Sequence, residues 1–384
     1  MTPEARVQAA IDILDQINDG DPAERALTNW SRRSRYAGSK DRAAIRDLVF
    51  SALRKWRSTA ALGGAETGRG RMIGLLRQDG VTLDTVFTGN RFAPDPLRAE
   101  ELEGGTQPID AAAMDLPDWV WEKFKSDLGE RAADAAQVLR DRAPVTLRVN
   151  TLKGDVATAQ SHLLSEGIVT RANPKSATAL TVEDGQRKVA QSEAYQSGLV
   201  ELQDASSQAI VDALPDRQPQ NILDYCAGGG GKSLALAARF PDARITAHDA
   251  FPQRMKDIPA RASRAGATVK ISNKPEGRFD LVFCDVPCSG SGTWRRAPEA
   301  KWRFSPEDLQ DLVRTQAEIL LIASELVSEG GLLAYATCSI LDDENTKQID
   351  RFLADNPQWH VLKSEFYLPD ADGDGFFVTI LTRD

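Results

Sequence analysis

Residues 222–236 read ILDYCAGGGGKSLAL, an apolar strand pattern followed by four glycines and the start of a helix. The GGGGKS run is similar to the end of a phosphate-binding loop, but that loop requires a glycine five residues before its Gly-Lys-Ser triplet, where this chain has Cys226. The dinucleotide pattern G-x-G-x-x-G also fails, because its third glycine would fall on Ser233. The sequence therefore disfavours a nucleoside triphosphatase and predicts a glycine turn that serves another nucleotide.

Strand and helix patterns alternate from this turn to the end of the chain. The predicted strands are NILDYC, RITAHDA, TVKIS, DLVFCDVP, GLLAYATCS and FFVTILTR, and the predicted helices cover residues 231–240, 252–265, 306–327 and 342–354. Such alternation is typical of an α/β fold with a doubly wound, Rossmann-like sheet, in which ligands bind outside the carboxyl ends of the strands.

The second predicted strand ends in Asp249. A carboxylate about twenty residues beyond a glycine turn is placed to reach ribose hydroxyls, while the glycines let the backbone approach a ligand closely. The turn and Asp249 together predict an adenosine cofactor without demanding phosphates. S-adenosylmethionine fits this description and leaves Lys232 free for another role.

Composition sets the outer limits for the 384-residue chain, which is 41% apolar and has a formal net charge of -9. This length predicts two or three folded domains, and the absence of a long apolar stretch or signal peptide predicts a cytosolic protein. We expect a monomer with no obligate protein partner. The four cysteines form no C-x-x-C pair and accompany no histidine at zinc spacing, which disfavours a disulfide scaffold and a metal site.

The sequence divides into three predicted domains. Residues 1–110 form a helical domain, with its core at about 1–62 followed by a linker that begins with the glycine-rich turn GGAETGRGR. Residues 111–215 mix helices and strands in a small α+β segment, and residues 216–384 form the alternating domain.

Between residues 25 and 57, the sequence contains ten basic residues and only two acidic ones. This run predicts a nucleic-acid face, although the solvated side of helices explains the charges equally well.

Cysteines lie at the ends of two predicted central strands, DLVFCDVP and GLLAYATCS. Asp285 and Cys288 follow one strand and Cys338 follows the other, whereas Cys284 lies inside its strand and is interpreted as a small core residue. Thiols, a carboxyl group and a methyl donor suit methylation at C5 of a pyrimidine. A thiolate that adds to C6 makes C5 nucleophilic, an acid stabilises the adduct, and a base then removes the C5 proton. Spacing alone does not decide which thiol attacks.

Three motifs, DYCAGGGGKS, DVPCSGSGTWRRAPEAKW and YATCSILDDEN, resemble the signatures of the Nop/Sun family of RNA cytosine-C5 methyltransferases. The segments PDWVWEKF, TLRVNTLK and LVELQDASSQ resemble the region that precedes the catalytic domain in that family. The basic helical N-terminus resembles the NusB-like RNA-binding domain of the bacterial members that act on 16S rRNA. The resemblance covers nearly the whole chain and implies a class I methyltransferase domain.

The resemblance also implies roles for individual residues. Cys338 in ATCS would be the nucleophile and Cys288 in PCS would assist product release, whereas DNA cytosine-C5 enzymes attack with the proline-cysteine position. Asp285 would be the acid, with Lys232 holding it beside the thiols. S-adenosylmethionine would lie on Cys226, Ala227, Gly228, Gly229, Gly230, Gly231, Lys232, Asp249 and Asp285.

Two departures from the family pattern concern the cofactor. Gly228 and Gly229 replace a common Ala-Pro, which predicts a more flexible turn, and only Asn273 follows the third strand where the family has an acidic residue. An amide can still bond the adenine. A catalytically weak RNA-binding assembly factor is therefore the alternative function, and tRNA is the alternative substrate.

The run TWRRAPEAKWRF at residues 293–304 follows Cys288 directly. Its basic residues could bind phosphates while Trp294 or Trp302 stacks on an unstacked base, or the run could be a surface loop anchored by tryptophan. The predicted RNA contacts are Arg295, Arg296, Lys301, Arg303, Arg32, Arg33, Arg35, Arg54 and Lys55.

Overall fold

The chain forms two compact units in a computed structural model that describes residues 1–383. One unit contains Met1–Arg142 together with Trp294–Phe304, and the other contains Ala143–Thr293 and the chain from Ser305 onward. The first boundary therefore lies beyond the predicted helical domain of residues 1–110. The segment that follows the Cys288 loop belongs to the first unit, although the residues on both sides of it belong to the second.

All regular elements described in the first unit are helical. They are α1 Pro3–Asn18, α2 Ala23–Arg33, α3 Ser39–Arg54, α4 Trp56–Gly63, α5 Gly68–Gln78, α6 Ala99–Glu103, α7 Asp110–Ala113, α8 Asp118–Leu128, α9 Ala132–Val138 and α15 Pro298–Arg303, with short 3₁₀ turns between some of them. Apolar side chains of α1, α3 and α5 share one core, in which Ile13, Ile45 and Met72 are fully buried.

The prediction of a linker after residue 62 is wrong at α5. Gly63 of α4 and Gly74 of α5 allow these two helices to pack closely against each other. A Cβ atom on Gly74 would lie 1.9 Å from the carbonyl oxygen of Thr59, and one on Gly63 would lie 1.7 Å from that of Gly70. A glycine-rich run can therefore mark a tight helix pair as well as a loop.

The second unit contains two sheets. The smaller has the order β2-β3-β1-β4 and is antiparallel throughout, and the larger has the order β10-β11-β9-β8-β5-β6-β7. The strands are β1 Thr146–Val149, β2 Val169–Ala172, β3 Ala179–Asp184, β4 Val200–Leu202, β5 Asn221–Asp224, β6 Arg244–Ala247, β7 Val269–Ile271, β8 Phe279–Asp285, β9 Val327–Thr337, β10 Trp359–Tyr367 and β11 Phe376–Arg383. The helices are α10 Val156–Ser165, α11 Glu193–Gln196, α12 Ala205–Asp212, α13 Gly231–Arg239, α14 Ile258–Ala265, α16 Pro306–Glu325 and α17 Thr346–Asp355.

Strands β5 to β9 of the larger sheet are parallel, and β11 and β10 add an antiparallel edge. Side chains alternate between two cores, so Leu281 and Phe283 of β8 pack on one face and Val282 and Cys284 on the other. The predicted Rossmann-like α/β fold is confirmed. The strand order reverses between β5 and β8, and the carboxyl ends of these strands flank the crevice where such sheets bind ligands.

Strand β10 has no counterpart in the sequence prediction. It is an edge strand whose side chains from His360 to Ser364 are all exposed, so it lacks the apolar pattern that marks a buried strand.

Among residues 1–383, no helix combines the length and the apolar character that crossing a bilayer requires.

Candidate active site

The glycine turn lies between β5 and α13, at the centre of the larger sheet. Gly228 and Gly230 have φ angles of +49° and +83°, which glycine adopts readily. A Cβ atom on Gly230 would also lie 2.8 Å from Cγ1 of Ile258. Cys226 is largely enclosed, and its burial raises the pKa of the thiol far above the usual range, so this cysteine stays neutral.

Asp249, just beyond β6, closes the other side of the turn. Its Oδ2 atom accepts a hydrogen bond from the amide of Gly228 at 2.9 Å, and Oδ1 accepts one from the amide of Phe251 at 2.9 Å. Arg254 lies 3.6 Å from the same carboxylate. A carboxylate has about four acceptor positions, and with Gly228 and Arg254 against Oδ2 and Phe251 on Oδ1, one position on Oδ1 remains for a ribose hydroxyl. The residues present therefore fit an adenosine cofactor.

The turn is held in place by an arginine from α14. Arg261 donates a hydrogen bond to the carbonyl oxygen of Gly229 and lies 3.4 Å from the carboxylate of Glu201. The flexibility expected from Gly228 and Gly229 is thus opposed by a side-chain anchor. No sequence pattern pointed to Arg261, because it lies 32 residues beyond the glycine that it contacts.

Lys232, in the first turn of α13, joins the glycine turn to the end of β8. Its buried ammonium group donates to Asp285 Oδ2 at 2.9 Å and to Ser207 Oγ at 2.6 Å. The Asp285 side chain is 29% exposed, so it reaches both the lysine and the crevice. The structure therefore brings together the predicted acid and the cation expected to hold it, and adds Ser207 from α12 as a second acceptor for that cation.

Asp224, the last residue of β5, is a buried carboxyl group behind these residues. Ser233 donates a hydrogen bond to its Oδ2 atom at 2.6 Å. Burial, reinforced by the charge of Asp285, raises the pKa of Asp224 to about 7. Near neutral pH this group is therefore partly protonated, which limits the negative charge beneath the turn.

The two candidate thiols meet at the carboxyl ends of β8 and β9. The Sγ atoms of Cys288 and Cys338 lie 3.3 Å apart, and both side chains are partly exposed. The hydrogen bond with Cys338 and burial both raise the pKa of Cys288 well above its ordinary value. The raised pKa favours the protonated form of Cys288.

Glu344, which is fully buried, ties the two cysteine loops together. Its carboxylate accepts from the backbone amide of Ser289 at 2.8 Å, from the Ser289 hydroxyl at 2.5 Å and from the Ser339 hydroxyl. Gln316 of α16 donates to it at 3.0 Å. The residues directly after Cys288 and Cys338 thus share one carboxylate. The motif YATCSILDDEN contains Glu344, but no sequence signal separates it from the adjacent acids Asp342 and Asp343.

Asn273 follows β7 and is exposed. The neighbouring Ser272 carbonyl oxygen lies 3.0 Å from Nδ1 of His248, whose ring packs against Tyr225 at a centroid distance of 4.9 Å. Asn273 therefore lies beyond the carboxyl ends of the strands, where the sequence placed it, and its contact with an adenine stays a prediction.

The basic run after Cys288 differs from its prediction. Arg295 and Lys301 are buried in the first unit, where Lys301 donates to the carbonyl oxygen of Arg54 at 2.9 Å and Trp302 donates to that of Leu53 at 2.8 Å. These are last-turn carbonyls of α3, which no helical amide reaches. Burial lowers the pKa of Lys301 to about 7.

The expected phosphate contacts are therefore wrong for three residues. Arg54 is also buried and donates to the carbonyl oxygen of Arg295 at 2.8 Å, so Arg54, Arg295 and Lys301 stabilise the helical unit instead. Trp294 is buried too and stacks on Phe124 at 6.3 Å, which removes it as a base-stacking surface. The remaining predicted contacts are exposed or partly exposed: Arg32, Arg33, Arg35, Lys55, Arg296 and Arg303.

The parallel sheet, the glycine turn and the carboxylate beyond β6 define a Rossmann-like methyltransferase. A model described as 16S rRNA methyltransferase RsmB/F matches residues 211–381, and a model of the ferredoxin-like domain of such proteins matches residues 116–189. The chain belongs to the RsmB/F family of methyltransferases, which confirms the family suggested by its motifs.

Curated relatives agree with this assignment, and a solved structure agrees with the fold. A ribosomal RNA small subunit methyltransferase B from Vibrio cholerae is 30% identical over 300 residues, covering 74% of this chain and 69% of the relative. The protein of the same name from Yersinia pestis is 28% identical, covering 88% and 90%. A methyltransferase homolog from Pyrococcus horikoshii has a TM-score of 0.62 at 22% identity, covering 72% of this chain and 98% of that one, which supports the fold.

Proposed function

We propose that this protein transfers a methyl group from S-adenosylmethionine to C5 of a cytidine in small-subunit rRNA through a covalent cysteine adduct. The observation that carries the proposal is the pair of thiols 3.3 Å apart, beside an acid that is held by a buried lysine. C5 of cytosine needs a nucleophile at C6, a proton donor near N3 and a base for the C5 proton, and the crevice offers a group for each.

Cys338 is the attacking sulfur in this proposal. The raised pKa of Cys288 keeps its proton in place. Cys338 gives up its proton to solvent and adds to C6 as the thiolate, which makes C5 nucleophilic. Once the sulfur of Cys338 is bonded to carbon, Cys288 loses its hydrogen-bond acceptor and can release its own proton to solvent. Cys288 then accepts the C5 proton, which restores the double bond as Cys338 leaves. The order of these roles agrees with the family resemblance.

Asp285 supplies the acid and Lys232 orients it. One carboxylate oxygen is bonded to the ammonium group, and the partly exposed side chain would meet N3 and the amino group of the base through the other oxygen. Lys232 in turn is fixed by Ser207, so the acid is presented by a rigid pair. A positioned cation also favours a thiolate nearby.

The cofactor would lie along residues 226–232, with its ribose on Asp249 and its adenine near Asn273. When bound, S-adenosylmethionine supplies an electrophilic methyl group. The protein's contribution is to present the amides of the turn and the carboxylate of Asp249, which the anchors from Arg254 and Arg261 hold in position. The target base must leave its stack to reach the thiols, so a single-stranded or loop region is the expected substrate.

Methylation of isolated RNA tests the proposal. Small-subunit rRNA from a strain that lacks the gene should accept a labelled methyl group from S-adenosylmethionine, and bisulfite sequencing should place it on a cytidine. Transfer to tRNA instead would change the substrate, and transfer to another atom would overturn the chemistry. Tight rRNA binding without any transfer would favour the alternative of an assembly factor.

A further inference from the structure

A groove of about 540 Å³ on the first unit is lined by three aromatic side chains from separate parts of the chain. They are Trp30 of α2, Tyr36 in the following loop and Phe92 in the segment between α5 and α6. Tyr36 is 75% exposed and Phe92 is 67% exposed, so large apolar rings face solvent without a covering element. Ala5 and Ala9 of α1 form the floor, and their small side chains leave the space open.

The backbone conformation at Phe92 indicates that the exposed ring has a binding role. Phe92 has a φ angle of +72°, a conformation that is unfavourable for a bulky residue. The turn around it is fixed by hydrogen bonds from Gly89 to Pro94 and from Ala93 to Asn90. The fold therefore holds an aromatic ring in solvent at the cost of strain, and strained residues of this kind cluster at binding sites.

The charges around the groove identify the class of ligand. Arg91 lies in its wall, with its guanidinium 4.7 Å from the centre of the Phe92 ring. The helix that carries Trp30 ends in the exposed Arg32 and Arg33, and the exposed Arg35 precedes Tyr36. Exposed rings among arginines suit a nucleic acid strand, whose bases stack and whose phosphates meet cations.

We propose that this groove binds an unpaired nucleotide of the RNA, with its base stacked on Tyr36 or Phe92 and its phosphate near Arg91. Asp12 and Gln8 also line the groove, joined by a hydrogen bond of 2.7 Å. A carboxylate accepts from the amino group at C4 of cytosine, whereas uracil presents at C4 a carbonyl oxygen that a carboxylate repels and offers only its N3–H as a donor. The groove therefore prefers cytosine to uracil. This inference rests on the proposed RNA substrate but concerns a site apart from the thiols.

Binding of 12-nucleotide single-stranded RNAs to the full chain, followed by fluorescence anisotropy without cofactor, tests the stack. Replacing both Tyr36 and Phe92 with alanine should weaken binding by about 5- to 100-fold, the effect of losing one base stack. The dependence of affinity on salt should not change, because no charge is removed. The matched control replaces Leu102 and Ile109, which are exposed apolar residues of the same unit that do not line the groove.

Two further measurements locate the base. Asp12→Asn should reduce the ratio of the affinity for oligocytidine to that for oligouridine. Because the catalytic crevice is the same in the variant and in the native protein, a change in this ratio reports on the groove. Photocrosslinking of RNA containing 4-thiouridine should label Tyr36 or Phe92. An unchanged affinity in the double variant, or crosslinks confined to other residues, would overturn the proposal and leave an apolar protein segment as the occupant. Methyl transfer to rRNA is scored separately, so failure of the groove and failure of the proposed reaction are distinguishable.

Discussion

The sulfur atoms of Cys288 and Cys338 lie 3.3 Å apart, although 50 residues separate them in the chain. They meet because β8 and β9 are parallel neighbours, so the loops that follow these strands leave the sheet at the same edge. The contact gives the two thiols unequal chemistry, since the hydrogen bond between them raises the pKa of Cys288. In the proposed mechanism Cys338 attacks C6 and Cys288 acts in the later elimination step.

Substitution of each thiol should separate the two steps. Cys288→Ala should still form the covalent adduct and transfer the methyl group, but it should release product slowly or not at all, so protein and RNA migrate together on a denaturing gel. Cys338→Ala should form no adduct, because without a sulfur at C6 the C5 carbon never becomes nucleophilic. The double variant should behave like Cys338→Ala.

The opposite pattern has an equally clear meaning. If Cys338→Ala accumulates the adduct and Cys288→Ala is inactive, the roles are reversed and the enzyme attacks from the proline-cysteine position. If neither change affects methylation, both thiols are structural and the proposed mechanism is wrong.

Glu344→Ala should separate the cysteine loops. The change removes the carboxylate that accepts from the backbone amide of Ser289 and from the hydroxyl of the buried Ser339, and a hydrogen bond to a charged group contributes about 1.5–3 kcal/mol. We expect a lower melting temperature, at least a tenfold slower methyl transfer, and slower oxidation of Cys288 and Cys338 to a disulfide. The last effect is the specific one, because it reports the distance between the sulfurs.

The matched control is Asp115→Ala in the first unit. Asp115 is also a fully buried carboxylate, and it accepts from the Ser58 hydroxyl at 2.7 Å and from Arg140 at 2.8 Å. Its loss should destabilise the protein to a similar degree without changing how fast the two thiols oxidise. Equal oxidation rates in both variants would show that Glu344 has only a structural role.

Some of this site follows from sequence and some does not. The strand-helix alternation and the motifs place Cys288, Cys338 and Asp285 at one edge of the sheet, since strand ends determine where the loops lie. Charge patterns do not distinguish a buried cation from an exposed one, so they predict an RNA contact for Lys301, which instead caps a helix. The contact of Arg261 with Gly229 depends on how α14 packs, which local sequence does not encode.

Asp224→Asn should alter how stability depends on pH. The pKa of Asp224 in the folded protein is about 7, above the value near 4 of an unfolded chain. Its contribution to stability is therefore fully present below about pH 4 and is lost as the pH rises toward 7. Asparagine does not titrate, so the variant does not lose this contribution. On going from pH 5 to pH 8, its free energy of unfolding should rise relative to that of the native protein by an amount on the order of 1–4 kcal/mol. Urea unfolding of both proteins at pH 5 and pH 8 measures this. The same difference in the free energy of unfolding at the two pH values would contradict the prediction.

Arg261→Ala should loosen the glycine turn and weaken cofactor binding by about fivefold or more, the effect of removing one hydrogen bond to a backbone carbonyl. Isothermal titration with S-adenosylhomocysteine measures the affinity. Arg264→Ala is the control, because Arg264 pairs with Glu201 at 2.7 Å as Arg261 does, but its guanidinium packs on the ring of Tyr195 instead of the turn. Equal reductions in the two variants would attribute the effect to Glu201 and not to the turn.

The basic end of α2 should contribute RNA affinity rather than chemistry. Removing residues 1–62 is a poor test, because Met72 and Ile73 share a core with α1 and α3 and would be exposed. Replacing Arg32, Arg33 and Arg35 with glutamine leaves that core intact. Binding to rRNA should weaken, and the slope of log affinity against log salt should flatten by roughly 0.7–0.9 for each phosphate that the protein no longer neutralises. Replacing the same residues with lysine should preserve the slope, because the charges remain. An unchanged slope in the glutamine variant would show that these arginines are only the solvated side of a helix, the alternative that the sequence left open.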